Sequence, residues 1–121
     1  MDAVIEALDA AWNERDPSAR GRLLERSLTP DAQLVDPSAG RFDGREAIGD
    51  RIASLDERFP GARVTITSGV DEHNGYGRYA WTMTNGDGNV IVEGIDVVER
   101  AEDGRLKRVI MFFGPPPEAE S

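Results

Sequence analysis

The hydrophobic pattern of the chain changes its period near the middle, and this change narrows the possible folds more than any other feature. Up to residue 59 the apolar residues recur every three or four positions, as on one face of a helix. Over residues 63–113 they largely alternate with polar residues, as in strands that bury one face. The order favours a single α+β domain over residues 1–117, with helices packed on one face of a curved, mostly antiparallel sheet.

Three helices are predicted in the first half. The first carries Trp12 on its apolar face, and the second begins at the pair Asp16-Pro17, an N-cap followed by proline. The third begins at Asp43, whose spacing from Glu46 resembles a capping box. A short apolar segment ends at Asp36, and residues 38–42 are predicted to form a loop.

The second half predicts strands joined by tight turns. Asn74-Gly75 is a strong hairpin signal, and further turns are predicted at residues 85–88 and 103–104. The predicted strands cover residues 64–70, 78–83, 90–100 and 106–113. Residues 118–121 are predicted to be a frayed tail.

The last two strands carry apolar residues on both faces, although helices can cover only one. The uncovered face is predicted to hold Ile91, Ile95, Val97, Ile110 and Phe112. Such a face favours a homodimer formed through the outer side of the sheet. Charged residues predicted on the same face could pair across the dimer, namely Arg78, Glu93 and Arg108.

Composition excludes several classes of site and partner. The chain has no cysteine and one histidine, His73, which excludes thiolate and multi-histidine metal sites. Its net charge of −9 argues against a nucleic-acid partner. The longest apolar run, residues 109–113, is far shorter than the ~18 residues of a membrane span, and the acidic start is unlike a signal peptide. A cytoplasmic protein without a membrane partner is expected.

No cofactor is expected either. Residues 75–80 fit the glycine spacing of a dinucleotide loop, but they open a predicted strand and cannot present a helix N-terminus to a pyrophosphate. No P-loop or nucleophile elbow is present in the sequence. His73, which ends a predicted strand beside a turn, is expected to be exposed, with an acid–base role at a pocket mouth as the alternative.

A series of short motifs resembles the nuclear transport factor 2-like superfamily, and within it the SnoaL-like polyketide cyclases and ketosteroid isomerases. The motifs span roughly residues 3–114 and are AWNERD at 11–16, TPDA at 29–32, VDP at 35–37, Gly44 before Ala47-Ile48, GID at 94–96, DGR at 103–105 and FFG at 112–114. The resemblance implies a cystatin-like cone, in which a curved sheet wraps round a long helix. It also implies a pocket between the helices and the concave face, and dimers formed through the outer face.

The resemblance also implies roles for two aspartates. Asp36 matches the general base of ketosteroid isomerase, and Asp96 matches the second aspartate, which stays protonated and donates to the developing oxyanion. The sequence departs from that enzyme at two tyrosine positions of its site, which are here Leu8 and Ile52. The implied activity is proton transfer next to a carbonyl, as in isomerisation or aldol-type cyclisation.

Strand alternation and helix faces predict the side chains that would contact a small apolar substrate. They are Leu8, Trp12, Ile52, Leu55, Tyr79, Trp81, Met83, Val98, Val109, Met111 and Phe113. Asp96 lies among apolar residues in mid-strand, so desolvation should raise its pKa. Buried tryptophan and tyrosine need hydrogen-bond partners, and Asp36 and Asp96 could supply them.

Each of these interpretations has a plainer alternative. Asp36 precedes a proline and could simply cap a turn, and Asp96 could be a buried acid held by a structural hydrogen bond. Arg51 is expected to be a solvated helix residue rather than a cavity residue. At the level of function, the alternatives are a non-catalytic module that binds hydrophobic ligands and an interaction domain whose side chains fill the cavity.

Overall fold

The computed structural model describes residues 2–120, so Met1 and Ser121, the last residue of the predicted tail, lie outside the described part. The first half contains α1 (Ala3–Asn13), α2 (Pro17–Ser27), β1 (Leu28–Asp36), β2 (Gly40–Asp43) and α3 (Arg45–Arg58). The second half contains β3 (Arg63–Ile66), β4 (Asp71–His73), β5 (Tyr76–Thr84), β6 (Val90–Arg100) and β7 (Leu106–Phe113). The predicted α+β arrangement is confirmed.

The seven strands of the described residues form one open sheet, in the order β2-β1-β7-β6-β5-β3. The short strand β4 pairs with β5 on the same edge as β3, at the other end of β5. The β1–β7 pair is parallel and the others are antiparallel. The loop predicted over 38–42 is partly wrong, because residues 40–43 form β2 and pair with β1. The strand predicted over 64–70 is also interrupted, because β3 ends at Ile66, residues 67–70 are not in a strand, and β4 begins only at Asp71.

A bulge explains that break. Ile66 pairs with Trp81 and Asp71 with Arg78, so four residues on one side face only two on the other. The Ser68 hydroxyl accepts a hydrogen bond from the Ala80 amide at 2.8 Å and satisfies the donor that the bulge leaves unpaired. Alternation alone carries no signal for such an insertion.

The sequence correctly predicts the N-cap of α2 but not that of α3. The Asp16 carboxylate accepts from the Ala19 amide at 2.9 Å, as expected for an N-cap. The capping box predicted at Asp43 is wrong. Asp43 is held in β2 as the partner of Gln33, and α3 instead begins after Gly44, at φ +92°, without a side-chain cap.

The three helices lie against the concave face of the sheet, and the main core fills the space between them. The Asn13 amide fastens α1 to β3: it donates to the Val64 carbonyl and accepts from the Val64 amide, both at 2.8 Å. Within residues 2–120, no helix has the length and apolar character needed to cross a membrane.

Candidate functional site

A cavity of about 210 Å³ opens between α1, α3 and the concave face of the sheet. Ten residues predicted for the site line it: Leu8, Trp12, Asp36, Leu55, Tyr79, Trp81, Met83, Asp96, Met111 and Phe113. The register explains their convergence. Tyr79, Asp96 and Met111 are directly opposite one another on β5, β6 and β7, so they point to the same side of the sheet.

Three residues predicted to contact substrate do not line this cavity. Val98 and Val109 are cross-strand partners one row beyond Asp96 and Met111 on the same face, where the core covers them fully. Ile52 is buried on α3 and lines a smaller cleft beside the cavity. Alternation gives the face of a side chain but not its depth, so core and cavity positions could not be separated.

Other cavity residues were not predicted. They are Asp9, Ser38, Arg51, Arg58, Phe59, Val64, Ile66 and Val92. Three of these share the register of predicted residues, since Val64 and Val92 lie opposite Met83 and Ile66 lies opposite Trp81. Asp9 has no such signal, because it sits at the edge of the apolar face of α1.

Asp96 forms the floor of the cavity in the middle of β6 and is only 6% exposed. The Trp81 indole Nε1 donates to its Oδ1 at 2.8 Å. Burial raises the pKa of Asp96 to about 7, although hydrogen bonds from Tyr79 and Trp81 act in the opposite direction. Much of Asp96 is therefore protonated near neutral pH, as its mid-strand position predicts.

Tyr79 stays a neutral phenol beside this acid. Burial and the neighbouring Asp96 charge raise its pKa well above the usual value for tyrosine. The Tyr79 hydroxyl and the Trp81 indole are both uncharged donors. The Trp81 indole orients the Asp96 carboxyl, and neither group supplies the positive charge that would keep it ionised.

Gly94 makes this arrangement possible. A Cβ atom there would collide with the Trp81 ring and lie 2.5 Å from the Phe112 carbonyl oxygen. The Trp81 ring therefore lies over the bare backbone of β6. It packs edge to face with Phe113, with the two ring centres 5.9 Å apart and the ring planes at 84°. From this position the Trp81 indole nitrogen reaches Asp96, which lies two residues after Gly94 on β6.

Asp36 closes the other end of the cavity, at the last residue of β1, and is 3% exposed. Its Oδ1 accepts from the Ser38 amide at 2.8 Å and the Ser38 hydroxyl at 2.7 Å. Its Oδ2 accepts from Arg51, with both Nε and Nη2 at 3.0 Å. Asp36 thus stabilises the turn after β1 and also forms part of the cavity wall.

Arg51 is not the solvated helix residue that the sequence predicts. Its side chain is 14% exposed, and it spans from α3 to Asp36 and to the Ser38 hydroxyl at 3.2 Å. A buried carboxylate needs a charge partner, and this requirement draws the guanidinium inward. His73 lies in β4 and is exposed, with its Nδ1 2.9 Å from the Asn74 amide nitrogen and away from the cavity wall.

The arrangement offers proton donors and acceptors within an apolar wall. In the described part of the chain, no group of three or more histidine, cysteine or acidic side chains is placed to hold a metal ion. The carboxyl groups in this wall can take part in hydrogen bonding and proton transfer.

Comparison with protein families matches residues 4–109 to the SnoaL-like domain. A candidate isomerase of the SnoaL-like family from Agrobacterium tumefaciens is 28% identical, with a TM-score of 0.85 over 93% of this chain and 95% of that one. A candidate polyketide cyclase from Sinorhizobium meliloti is 14% identical, with a TM-score of 0.73 over 93% and 95% of the two chains.

A protein of cystatin-like fold from Methylobium petroleophilum is 21% identical, with a TM-score of 0.74 over 95% of this chain and 76% of that one. The predicted cystatin-like fold is confirmed by this likeness. A search of curated proteins found no match.

Proposed function

Because the chain belongs to the SnoaL-like domain family, we propose that it is a cofactor-independent enzyme that moves a proton next to the carbonyl of a small apolar substrate. The reaction class is isomerisation or aldol-type cyclisation. The structural relatives support this choice, since one bears the description of a candidate isomerase and another that of a candidate polyketide cyclase.

The observation that carries the proposal is a pair of carboxyl groups in one cavity with opposite surroundings. Asp96 is desolvated among neutral donors, which raises its pKa to about 7 and favours the protonated form. Asp36 is ion-paired with Arg51. A proton donor and a carboxylate therefore face the same small apolar space.

In the proposed reaction the Asp96 hydroxyl donates a hydrogen bond to the substrate carbonyl oxygen. The Asp36 carboxylate removes a proton from the adjacent carbon, and the electron pair of that C–H bond moves toward the oxygen to form an enolate. Asp96 stabilises the developing charge, as a preorganised donor does in a site from which water is excluded. In isomerisation the proton returns from Asp36 to another carbon, which restores a carbonyl.

The size of the cavity favours a small substrate. Its volume of about 210 Å³ is below the ~300 Å³ at the lower end of ordinary ligand pockets. The wall is mainly apolar, with Trp12, Met83 and Met111 among its side chains. A compound of one or two fused rings with a single carbonyl fits these properties, and an open cavity argues against an interaction domain with a filled core.

A non-catalytic ligand-binding module is the second candidate, and one observation favours it. Both oxygens of Asp36 already accept hydrogen bonds, from Ser38 and from Arg51. A carboxylate held in this way has no oxygen free to accept a proton from the substrate. If Arg51 does not move away when substrate binds, the cavity binds carbonyl compounds without turning them over.

Hydrogen–deuterium exchange at carbon distinguishes the two candidates. The protein is incubated with 1-indanone in D2O, binding is measured by calorimetry, and deuterium next to the carbonyl is measured by mass spectrometry. The enzyme proposal predicts exchange that is lost in Asp36→Asn with binding retained. Asp87→Asn, an exposed turn variant, is the control. Binding without exchange would favour the module.

We also propose that the protein is a homodimer through the outer face of the sheet. Ile91, Ile95 and Phe112 are exposed there, Phe112 by 56%. Arg78 and Arg108 already pair within the chain, with Asp71 and Glu99, each at 2.8 Å. Apolar burial of at least ~1,000 Å² would therefore stabilise the dimer more than new ion pairs.

Light scattering tests the dimer at micromolar protein. We expect a dimer for the unchanged protein and a monomer for Phe112→Glu. Phe59→Glu, an exposed aromatic residue on the cavity side, is the control and should remain dimeric. A monomer for the unchanged protein would contradict the proposal.

A further inference from the structure

A third carboxyl group lines the cavity, and its hydrogen bonding differs from that of the other two. Asp9 lies on α1, one residue after Leu8, and contributes to the cavity wall. Its Oδ1 is buried and has no hydrogen-bond partner among the described residues. By contrast, Asp36 accepts from Ser38 and Arg51, and Asp96 accepts from the Trp81 indole.

The main chain around Asp9 is firmly held. The Asn13 amide donates to the Asp9 carbonyl oxygen at 3.2 Å and to the Val64 carbonyl at 2.8 Å, which locks this turn of α1 against β3. The Asp9 carboxyl is therefore presented from a fixed backbone. A buried acceptor without a partner destabilises the free protein, so its presence in a well-packed wall needs an explanation.

We infer that Asp9 is the acceptor for a hydrogen-bond donor on the ligand, so that the ligand is a small apolar carbonyl compound that also bears a hydroxyl or amino group. This inference rests on the proposed function, because the carbonyl is assigned to Asp96. The cavity then offers a donor to one end of the ligand and an acceptor to the other. The Asp9 oxygen acquires its missing partner only when the ligand is bound.

The charges around the site agree with a ligand that donates. Burial raises the pKa of Asp9, and the positive charge of Arg63, an exposed residue of β3, acts in the opposite direction. Asp9 in turn raises the pKa of both Asp96 and Tyr79, so the groups share one electrostatic environment. A carboxylate ligand beside Asp9 would add to this repulsion, whereas a hydroxyl or amino group would relieve it.

The first test needs no ligand. Asp9→Leu and the shape-conserving Asp9→Asn are compared with Glu6→Leu, an exposed position on the same helix. If Asp9 serves to bind a ligand, the midpoint of thermal unfolding of the ligand-free protein should be several degrees higher in Asp9→Leu. The midpoint should be no lower in Asp9→Asn and should change little in Glu6→Leu. Lower melting of both Asp9 variants would show a structural role and overturn the inference.

The second test uses calorimetry with 1-indanone and its ring-substituted hydroxy, amino and methoxy derivatives. The unchanged protein should bind one hydroxy or amino derivative about tenfold more tightly than its methoxy counterpart. In Asp9→Leu the hydroxy or amino derivative should bind no more tightly than its methoxy counterpart. The derivative bound more tightly identifies the donor as hydroxyl or amine.

The outcomes separate this inference from the proposed function. If 1-indanone binds but the donor derivatives show no advantage, or if the advantage survives in Asp9→Leu, the role of Asp9 is wrong and the carbonyl site stands. If no ketone binds to the unchanged protein, the proposed function fails and the ligand assignment fails with it.

Discussion

The two ends of the cavity hold the same side chain in opposite settings. At the end of β1, Asp36 accepts hydrogen bonds from the Ser38 amide and hydroxyl and is ion-paired with the Arg51 guanidinium. On the floor, Asp96 has only the Trp81 indole and the Tyr79 phenol, and burial raises its pKa to about 7. Both aspartates are almost fully buried, at 3% and 6% exposure, so burial alone does not separate them.

The difference lies in the charge of the neighbours. A hydrogen bond from a neutral donor orients a carboxyl group, whereas a guanidinium also stabilises its negative charge. The position of each aspartate along its strand determines which neighbour it can have. Asp36 ends β1, within reach of α3, whereas Asp96 lies in the middle of β6 with sheet neighbours on both sides.

The largest expected effect comes from Asp96→Asn, measured as stability against pH. The pKa of Asp96 is raised in the folded state to about 7, against 3.8 for the ordinary side chain. The folded protein therefore binds the proton more tightly, and this stabilisation is lost as the pH rises from about 4 to about 7. The asparagine variant escapes that loss, so it should gain up to about 4 kcal/mol relative to the unchanged protein.

Urea unfolding at about pH 4 and about pH 8 measures this gain. Asp87→Asn lies in an exposed turn and is the matched control, whose stability should run parallel to that of the unchanged protein. A difference between Asp96→Asn and the unchanged protein that stays constant over this range would mean that burial does not raise the pKa of Asp96 in the folded protein.

The next largest effect is expected from Arg51→Met, which removes the cation from the Asp36 end. The Asp36 carboxyl would be left buried without a charge partner, and the free energy of unfolding should fall by about 3 kcal/mol at neutral pH. Arg58→Met is the control, because Arg58 also lines the cavity but is exposed.

The double variant with Asp36→Asn sharpens this test. It should be more stable than Arg51→Met alone, because the uncompensated charge is gone. Chemical denaturation of the unchanged protein, the two single variants and the double variant gives the coupling free energy between Arg51 and Asp36. A coupling free energy close to zero would mean that Arg51 does not stabilise the Asp36 carboxylate, so the two aspartates would not differ in the way described here.

A smaller effect is expected from Gly94→Ala, which disturbs the Asp96 end. The added Cβ would collide with both the Trp81 ring and the Phe112 carbonyl oxygen. The carbonyl is part of the backbone of the neighbouring strand and moves less easily, so the Trp81 ring would be displaced from β6. We expect a loss of about 2 kcal/mol. Tryptophan fluorescence should report the moved ring, and Gly21→Ala, where a Cβ meets open space, is the control. Unchanged stability and fluorescence would contradict the packing described here.

The sequence predicts which face of the sheet a strand residue occupies better than it predicts which side chains contact one another. The alternation over β5, β6 and β7 correctly places Tyr79, Trp81 and Asp96 on one side, because a strand has a fixed period of two. Arg51 shows the limit, since its inward turn depends on a carboxylate fifteen residues away in the sequence. The apolar face of α1 likewise says nothing about Asp9, whose burial depends on β3 packing beside it.

Carbon-detected NMR titration of the Asp96 side-chain carboxyl tests the central claim most directly. The protein is labelled at aspartate, and Asp96→Asn identifies the resonance by its absence. We expect a midpoint near 7, because burial raises the pKa of Asp96 to about 7. A midpoint at or below about 4, as in a solvated aspartate, would contradict the account and remove the proton donor from the proposed reaction.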